Sequence, residues 1–177
     1  IWLDAHGDFN THLTTPSGNI HGMSLAALCG LGDPRLTALY DEPVPVIDPG
    51  KVAIIGARDL DLGEKDNLRS AGALVLSMEQ VDRIGMVAAL EQCIEQVSRD
   101  VDGIYLSMDL DALDPRFAPG VGTPVPGGLT YREGHLACEV VAETGKLIGM
   151  DVVEVNPILD EKNQTAKIAV EFACSAL

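Results

Sequence analysis

Short runs of apolar residues alternate along the chain with longer, helix-compatible segments. The short runs are apolar at nearly every position rather than at alternate positions, which is typical of parallel strands covered on both faces. They predict strands at residues 1–3, 52–56, 73–77, 103–108 and 147–153. The segments between and after them predict helices at residues 24–29, 63–71, 86–99, 131–143 and 164–174.

This alternation predicts an α/β fold with a mainly parallel sheet flanked by helices. With 177 residues, of which 46% are hydrophobic, the chain can bury a substantial core. We therefore expect one domain that spans residues 1–177. Proline and glycine are dense at residues 14–22 and 115–128, and these two stretches are predicted to be loops.

Metal-ligand side chains cluster directly after two of the predicted strands. Asp4, His6 and Asp8 follow the first strand, and Asp109 and Asp111 follow the fourth. Side chains at alternate positions of an extended backbone point the same way, so each cluster is expected to face one site. Carboxylate oxygens with one imidazole suit divalent cations such as Mn²⁺, and two clusters indicate two metal ions. A metal pair of this kind activates water, so hydrolysis is the reaction class expected.

Two further polar groups also follow predicted strands, at residues 58–61 and 154–157. The carboxyl edge of an open α/β sheet is where ligand sites form, so all four groups are expected to converge there. Glu154 is suited to a bidentate grip on a planar guanidinium. Asp114 precedes a proline and is expected to hold a turn rather than a metal. His21, beside a metal-activated water, is a suitable proton-transfer group.

The charge of the chain excludes some partners. Twelve Lys and Arg stand against 27 Asp and Glu, a formal net charge of −15, whereas nucleic acids and anionic membranes require a basic face. The apolar runs are too short to span a membrane, and no export signal is visible. Four widely spaced cysteines predict buried thiols in a reducing cytoplasm, at Cys29, Cys93, Cys138 and Cys174.

Several longer motifs resemble those of the ureohydrolases, and specifically of the arginases. They are WLDAHGDFNTHLTTPSGNIHGM, GARDLDLGE, SMDLDALDP, GVGTPVPGGLTYREG and EVNP. The resemblance covers the whole chain and implies a three-layer α/β/α fold and two Mn²⁺ ions. The implied reaction is hydrolysis of L-arginine to L-ornithine and urea, by a cytoplasmic homo-oligomer of three or six subunits.

The resemblance also implies a role for individual residues. One Mn²⁺ would be held by Asp4, Asp8 and Asp109, and the other by Asp4, His6, Asp109 and Asp111, so that Asp4 and Asp109 bridge. Asp111, His21 and Glu154 would be catalytic: they match the proton donor, the proton shuttle and the carboxylate that orients the guanidinium. The positions that match the substrate-binding set are Asn10, Ser17, Asn19, Asp59, Asp61, Glu64 and Thr123. In that set, Asn10, Ser17 and Asn19 would meet the α-carboxylate, Asp61 the α-amino group and Thr123 the guanidinium, which favours arginine over agmatine.

The chain departs from the family pattern in one respect. It has no Gly-Gly-Asp-His motif, whose histidine completes the first manganese site. We therefore expect a truncated chain, the C-terminal two-thirds of the family fold, with a weak first metal site and an exposed sheet edge that favours association. His12 and His135 lie in the wrong segments to replace that histidine, and His135 is expected at the surface.

Three alternative functions remain open at this point. One is another ureohydrolase, an agmatinase or a guanidino-acid hydrolase. A second is a non-catalytic metal-binding or oligomer-forming fragment. A two-metal phosphohydrolase is the third and is disfavoured, because phosphate recognition requires basic groups and Arg58 is the only Arg or Lys in the four strand-end motifs.

Overall fold

All five predicted strands are present and form one parallel sheet. The computed structural model describes residues 1–39 and 45–177. Each strand boundary lies within one residue of its prediction, and the strand order is β3-β2-β1-β4-β5. The strands are β1 (Trp2–Leu3), β2 (Ala53–Ala57), β3 (Leu74–Ser77), β4 (Ile104–Asp109) and β5 (Leu147–Val153).

Seven α-helices connect and follow the strands in the described part of the chain. They are α1 (Ser24–Leu28), α2 (Pro34–Thr37), α3 (Leu62–Ala71), α4 (Met78–Ile84), α5 (Met86–Val97), α6 (Tyr131–Glu143) and α7 (Gln164–Ser175). Short 3₁₀ turns occupy Ile20–Met23, Pro49–Lys51 and Leu110–Ala112. The five predicted helices are confirmed, whereas α2 and α4 were not predicted. Helix α4 begins directly after β3 with a capping box, in which Ser77 and Gln80 exchange side-chain and backbone hydrogen bonds.

Helices cover both faces of the sheet, which confirms the three-layer architecture. On one face, α4 to α7 pack on a large apolar core that includes Leu90, Leu106 and Phe172. On the other face, α1 and α3 pack on a smaller core that includes Phe9 and Ile54. The core on each face is continuous with buried residues of the strands, so the strand ends are held rigidly.

The expectation that every strand is covered on both faces is wrong for the β4–β5 side of the sheet. Strand β5 forms one edge, Ile148 is 73% exposed, and Tyr105 of β4 is 48% exposed. The smaller core draws its strand residues from β1, β2 and β3, so it leaves this part of the second face open within the described chain.

Two expectations about single side chains are also corrected. Cys29, Cys93 and Cys138 are buried, but Cys174 is exposed on α7. His135 is half-buried rather than exposed: its ring packs 4.8 Å from that of Phe172, and its Nδ1 lies 2.8 Å from Ser175 Oγ. Both residues lie on helices, where the turn of the backbone rather than the residue type decides which side faces the core.

The direction in which successive strands are added to the sheet reverses at β1, although all strands are parallel. Strands β2 and β3 continue outward on one side of β1, and the chain then returns so that β4 pairs with the other side. The carboxyl ends of β1 and β4 therefore flank a topological switch point, the usual place for a ligand site in such a sheet. No helix in the described ranges is long and apolar enough to cross a membrane.

Candidate metal centre at the carboxyl edge of the sheet

The donors that follow β1 and β4 meet at the switch point. Asp4, His6 and Asp111 each offer one ligand atom, and these atoms all lie within 4.8 Å of one another. Asp8 and Asp109 line the same cleft. Asp4, Asp109 and Asp111 are buried, with at most 6% of their surface exposed. The structure therefore brings together all five residues that the sequence suggested as metal ligands.

The first cluster reaches this place through a bend rather than through an extended backbone. The backbone N–H of His6 donates to Asp4 Oδ1 at 2.6 Å, which turns the chain directly after β1. Asp8 then adopts a left-handed conformation with φ of 50°, and its Oδ2 accepts a hydrogen bond from Ser24 Oγ at 3.0 Å. The expected alternation of an extended strand is wrong here, because the turn redirects Asp8 into the cleft.

Hydrogen bonds fix the orientation of Asp4 and Asp111. The indole Nε1 of Trp2 donates to Asp4 Oδ2 at 2.9 Å. The backbone N–H of Ala5 donates to Asp111 Oδ1 at 3.1 Å, and Thr123 Oγ1 donates to Asp111 Oδ2 at 3.0 Å. Neither carboxylate can rotate without losing these bonds, so both are preorganised.

The 3₁₀ turn Leu110–Ala112 places Asp109 and Asp111 beside each other. The backbone N–H of Asp111 donates to Asp109 Oδ1 at 2.8 Å, so Asp109 caps the turn that carries its neighbour. Asp114 closes the following loop by accepting from the backbone N–H groups of Arg116 and Gly127 at 3.0 and 2.8 Å. This agrees with the turn role expected for Asp114.

Burial and mutual repulsion raise the pKa of the carboxyl groups in the cleft. Burial, together with the charge of Asp4, raises the pKa of Asp8 to about 8. Burial and the charges of Asp4 and Asp111 raise the pKa of Asp109 to about 10. Burial also raises the pKa of Asp4. These groups resist ionisation because like charges are crowded in a poorly solvated place.

His6 and Asp111 form an ion pair that offsets part of this repulsion. Burial alone would lower the pKa of His6, but its hydrogen bonds to Asp111 and Asp4 outweigh burial and raise that pKa to about 11. Burial opposes ionisation of Asp111, yet the hydrogen bond and charge of His6 outweigh it and lower its pKa. His6 Nδ1 lies 3.1 Å from Asp111 Oδ2 and 3.3 Å from Asp4 Oδ1.

The cluster fits a divalent cation. Its donors are carboxylate oxygens and one imidazole nitrogen, a set that suits Mn²⁺ and similar ions. A cation at this place would reverse the raised pKa values, because it favours the ionised form of every carboxylate around it. Protonated His6, paired with Asp111, offsets part of the negative charge of the cluster.

The cleft has a volume of about 300 Å³ and opens between the ends of β1, β4 and β5. Its wall includes His21, Thr123 and Glu154, all three from the predicted site. Glu154 directly follows β5 and has a φ of 66°, a strained value for a residue with a side chain. Glu154 is exposed and lines the cleft, where its negative charge contributes to the raised pKa of Asp109.

The remaining predicted substrate residues do not line this cleft, and three of them, Asn10, Asp61 and Glu64, form a separate polar network. Asn10 Nδ2 donates to Asp61 Oδ2 at 2.9 Å and links the loop after Asp8 to the start of α3. Glu64 is 3% exposed and accepts from the backbone N–H groups of Phe9 and Asp61. Glu64 is therefore placed to hold the loop and not to meet a ligand directly.

The other three members of the predicted substrate set are exposed. Ser17 and Asn19 lie in the loop before the first 3₁₀ turn, where Ser17 Oγ accepts from the backbone N–H of Asn19 at 3.2 Å. Asp59 is exposed in the segment after β2. All three are free to meet a polar ligand at the rim.

Sequence reasoning missed several residues of the cleft. Trp2 could have been found, because it shares the strand face of Asp4 two positions away. Ser107 and Asp151 line the cleft from β4 and β5, and Ser107 Oγ donates to Asp151 Oδ1 at 2.7 Å. Ser24 carries no comparable signal, because its contact with Asp8 depends on how α1 packs.

Fold and donor set together define a three-layer α/β protein with a candidate metal centre at the switch point of its sheet. The family model described as the arginase family matches residues 1–177. The chain belongs to the arginase family.

Individual relatives agree with this assignment. Arginase from Bacillus caldovelox is 55% identical over 170 residues, which cover 96% of this chain and 56% of the relative. Arginase from Bacillus subtilis (strain 168) is 51% identical over 177 residues, covering 100% of this chain and 59% of the relative. The solved structure of the Bacillus caldovelox arginase matches with a TM-score of 0.95 and 53% identity, covering 99% of this chain and 58% of that one. The chain thus spans less than two-thirds of the length of these relatives.

Proposed function

We propose that the protein containing this chain is a manganese-dependent hydrolase that converts L-arginine to L-ornithine and urea. The observation that carries the proposal is that four metal-ligand side chains and Glu154 line one cleft, with Asp4 beside His6 and Asp111, in a chain of the arginase family. Relatives named arginase at 51–55% identity support the substrate class.

The residues that would hold the metal pair are Asp4, His6, Asp8, Asp109 and Asp111. Asp4 and Asp109 would bridge, because each follows one of the two strands that flank the switch point. When bound, the metal pair would lower the pKa of a water molecule towards neutrality and so supply a hydroxide nucleophile. Trp2 and Thr123 would keep the ligands in place through the hydrogen bonds described above.

Glu154 would orient the guanidinium of the substrate through paired charge-assisted hydrogen bonds. The exposed groups of Ser17 and Asn19, with Asn10 and Asp61 behind them, would receive the carboxylate and amino groups at the other end. Thr123 would add a contact close to the guanidinium. Asp59 would offer an exposed polar contact in the segment after β2, and Glu64 would act through the loop that it holds.

Proton transfer would be divided between two residues. Asp111 would accept the proton that the attacking water gives up and pass it to the leaving nitrogen, because its carboxylate lies in the cleft and is held by Thr123. His21, exposed at the cleft wall, would exchange protons with solvent. We further propose a cytoplasmic location. We also propose an assembly of three or six subunits, and light scattering on the purified protein would measure the number of subunits.

The direct test is urea release from L-arginine with added Mn²⁺, measured together with metal content per chain. It should be run on this polypeptide and on the same polypeptide fused to the part of the Bacillus caldovelox arginase that the match leaves uncovered. We expect turnover in the fused form, with agmatine and guanidinobutyrate turned over far more slowly than arginine. Turnover in neither form, with no Mn²⁺ retained, would refute the proposal, and preference for agmatine would reassign the substrate.

A further inference from the structure

Arg58 is a half-buried cation that the proposed reaction does not use. It follows β2, and its guanidinium lies between two segments that both contribute to the cleft. One is the 3₁₀ turn that carries Asp111. The other is the segment 123–126, which begins with Thr123.

The guanidinium donates only to backbone carbonyl oxygens. On the side of the metal-binding turn, Nη2 donates to Asp111 O at 2.7 Å and to Leu113 O at 3.3 Å, and Nη1 donates to Ala112 O at 3.3 Å. On the side of the second segment, Nη2 donates to Val125 O at 2.6 Å. The planar guanidinium of Arg58 therefore binds three successive carbonyl groups, those of residues 111–113, and also a carbonyl group of the neighbouring segment.

The remaining N–H groups are also occupied. Nη1 donates to Gly56 O at 3.1 Å, and Nε is shared between Val125 O and Pro126 O at 3.2 and 3.3 Å. Arg58 makes no ion pair with a described carboxylate. With every donor group engaged by backbone, Arg58 has no group left to bind a substrate, so its effect on the site is exerted through the segments that it joins.

Glycine at position 128 makes room for this arrangement. A Cβ at Gly128 would lie 2.5 Å from Arg58 Nη2 and 2.6 Å from Ala112 O, closer than Cβ atoms approach such atoms in folded proteins. The guanidinium is thus tightly enclosed, and the tight packing of Gly128 against both partners prevents it from moving away from the turn.

The two segments that Arg58 joins meet again inside the cleft. Thr123 Oγ1 donates to Asp111 Oδ2 at 3.0 Å, which aligns the carboxylate that also pairs with His6. The 3₁₀ turn has only three residues, Leu110–Ala112, and is too short to hold this alignment by its own hydrogen bonds. The hydrogen bonds from Arg58 to the carbonyl groups of residues 111–113 hold the turn in place.

We infer that Arg58 is a positioning residue, which sets the metal-binding turn against the segment 123–126 and thereby the geometry of Asp111. The expected effect of Arg58 on turnover rests on the proposed function. Its effect on metal binding follows from the contacts alone.

The test compares Arg58→Lys and Arg58→Gln with the wild type and with Arg69→Lys, a control on the exposed face of α3. Mn²⁺ affinity is measured by calorimetry and the coupling of the bound ions by electron paramagnetic resonance, both on this polypeptide and on the fused form. The values of kcat and KM for arginine are measured on whichever form turns over. Lysine keeps the charge of arginine but cannot reproduce the planar fork.

We expect both Arg58 variants to lose about tenfold or more in affinity for one Mn²⁺, the effect typical of removing a group that orients metal ligands. The value of kcat should fall while KM changes little, because Asp111 rather than the substrate-binding loop is displaced. Gly128→Ala, which crowds the guanidinium without removing it, should reproduce the Arg58→Lys phenotype. Arg69→Lys should match the wild type.

Wild-type Mn²⁺ affinity and an unchanged resonance spectrum in Arg58→Lys would overturn the inference. Loss of the fold in Arg58→Lys would also overturn it, since Arg58 would then support the whole chain and not the site. A wild type that binds Mn²⁺ but releases no urea would refute the proposed function while the affinity measurement still decides the role of Arg58.

Discussion

Replacing Asp8 with Asn should have opposite consequences in the metal-free and the metal-loaded protein. Asp8 is a partly buried carboxyl, and its burial together with the charge of Asp4 raises its pKa from 3.8 to about 8. Asparagine has the same shape, tolerates the left-handed backbone at this position, and can still accept the hydrogen bond from Ser24. The substitution therefore removes the charge and little else.

The direction of the effect follows from the proton balance. Between pH 3.8 and about 8, the folded state retains a proton on Asp8 that the unfolded state releases. The free energy of unfolding therefore falls as pH rises, by about 1.4 kcal/mol for each pH unit. The raised pKa of His6 acts in the same direction at higher pH, but it is common to both proteins and cancels in their difference.

The expected gain in the free energy of unfolding is limited by how far the Asp8 carboxylate of the wild type can move towards solvent. A shift of roughly four pH units sets an upper bound of about 5–6 kcal/mol near pH 8. Rotation of the charged group towards the open cleft and entry of water reduce this, so we expect Asp8→Asn to stabilise the metal-free protein by about 2–3 kcal/mol at pH 8. At pH 4, close to the ordinary pKa of 3.8, about half of the unfolded chains still hold the proton, and the difference should fall below about 1 kcal/mol.

Urea denaturation at pH 4 and pH 8, with and without Mn²⁺, provides the measurement. Saturation at about one hundred times the Kd stabilises a protein by about 2.7 kcal/mol, and Asp8→Asn should lose most of this gain because it lacks one ligand. Asp82→Asn, an exposed substitution on α4, serves as the control. If the metal-free variant is less stable than the wild type at pH 8, or if Mn²⁺ stabilises both equally, the assignment of Asp8 to the metal centre is refuted.

Three further substitutions test the rest of the site. Asp111→Asn should reduce urea release by about a hundredfold or more, because it removes both a proposed metal ligand and the ion-pair partner of His6. Near-normal turnover in this variant would refute the proposed role of Asp111. Glu154→Gln should lower kcat/KM for arginine by about ten- to a hundredfold, the loss of a charge-assisted pair, whereas unchanged steady-state kinetics would remove Glu154 from the guanidinium site. Trp2→Phe should weaken Mn²⁺ binding by about tenfold, since Asp4 loses its indole donor; calorimetry showing wild-type affinity would contradict this.

The strands could be predicted because their signal is local. Each is an apolar run that ends where polar residues begin, and the same boundary places the site residues at the carboxyl edge. Helix α4 was missed because its apolar residues continue directly from β3, and the only break is the capping box that begins at Ser77. The signal was present in the sequence, but the apolar run concealed it.

Other features depend on contacts between distant parts of the chain and have no local signal. The hydrogen bond from Arg58 to Val125 joins residues 67 positions apart. The burial of Glu64 depends on the loop around Phe9, which docks on α3 from 55 positions away. The resemblance placed Glu64 in the substrate-binding set, but its carboxylate accepts hydrogen bonds from the backbone instead.

Several departures from ordinary folding rules occur together at the proposed metal centre. Asp8 and Glu154 hold left-handed backbone conformations, which cost of order 1 kcal/mol or more for residues with side chains. Asp8 is partly buried and Asp109 is buried, and burial together with neighbouring charges raises the pKa of both carboxyl groups. Strands, caps and apolar cores elsewhere agree with one another, so they can hold the strained cluster in place. A divalent cation would relieve the electrostatic part of this strain but not the backbone part, and Mn²⁺ should therefore stabilise the fold most at high pH, where the carboxylates repel one another most strongly.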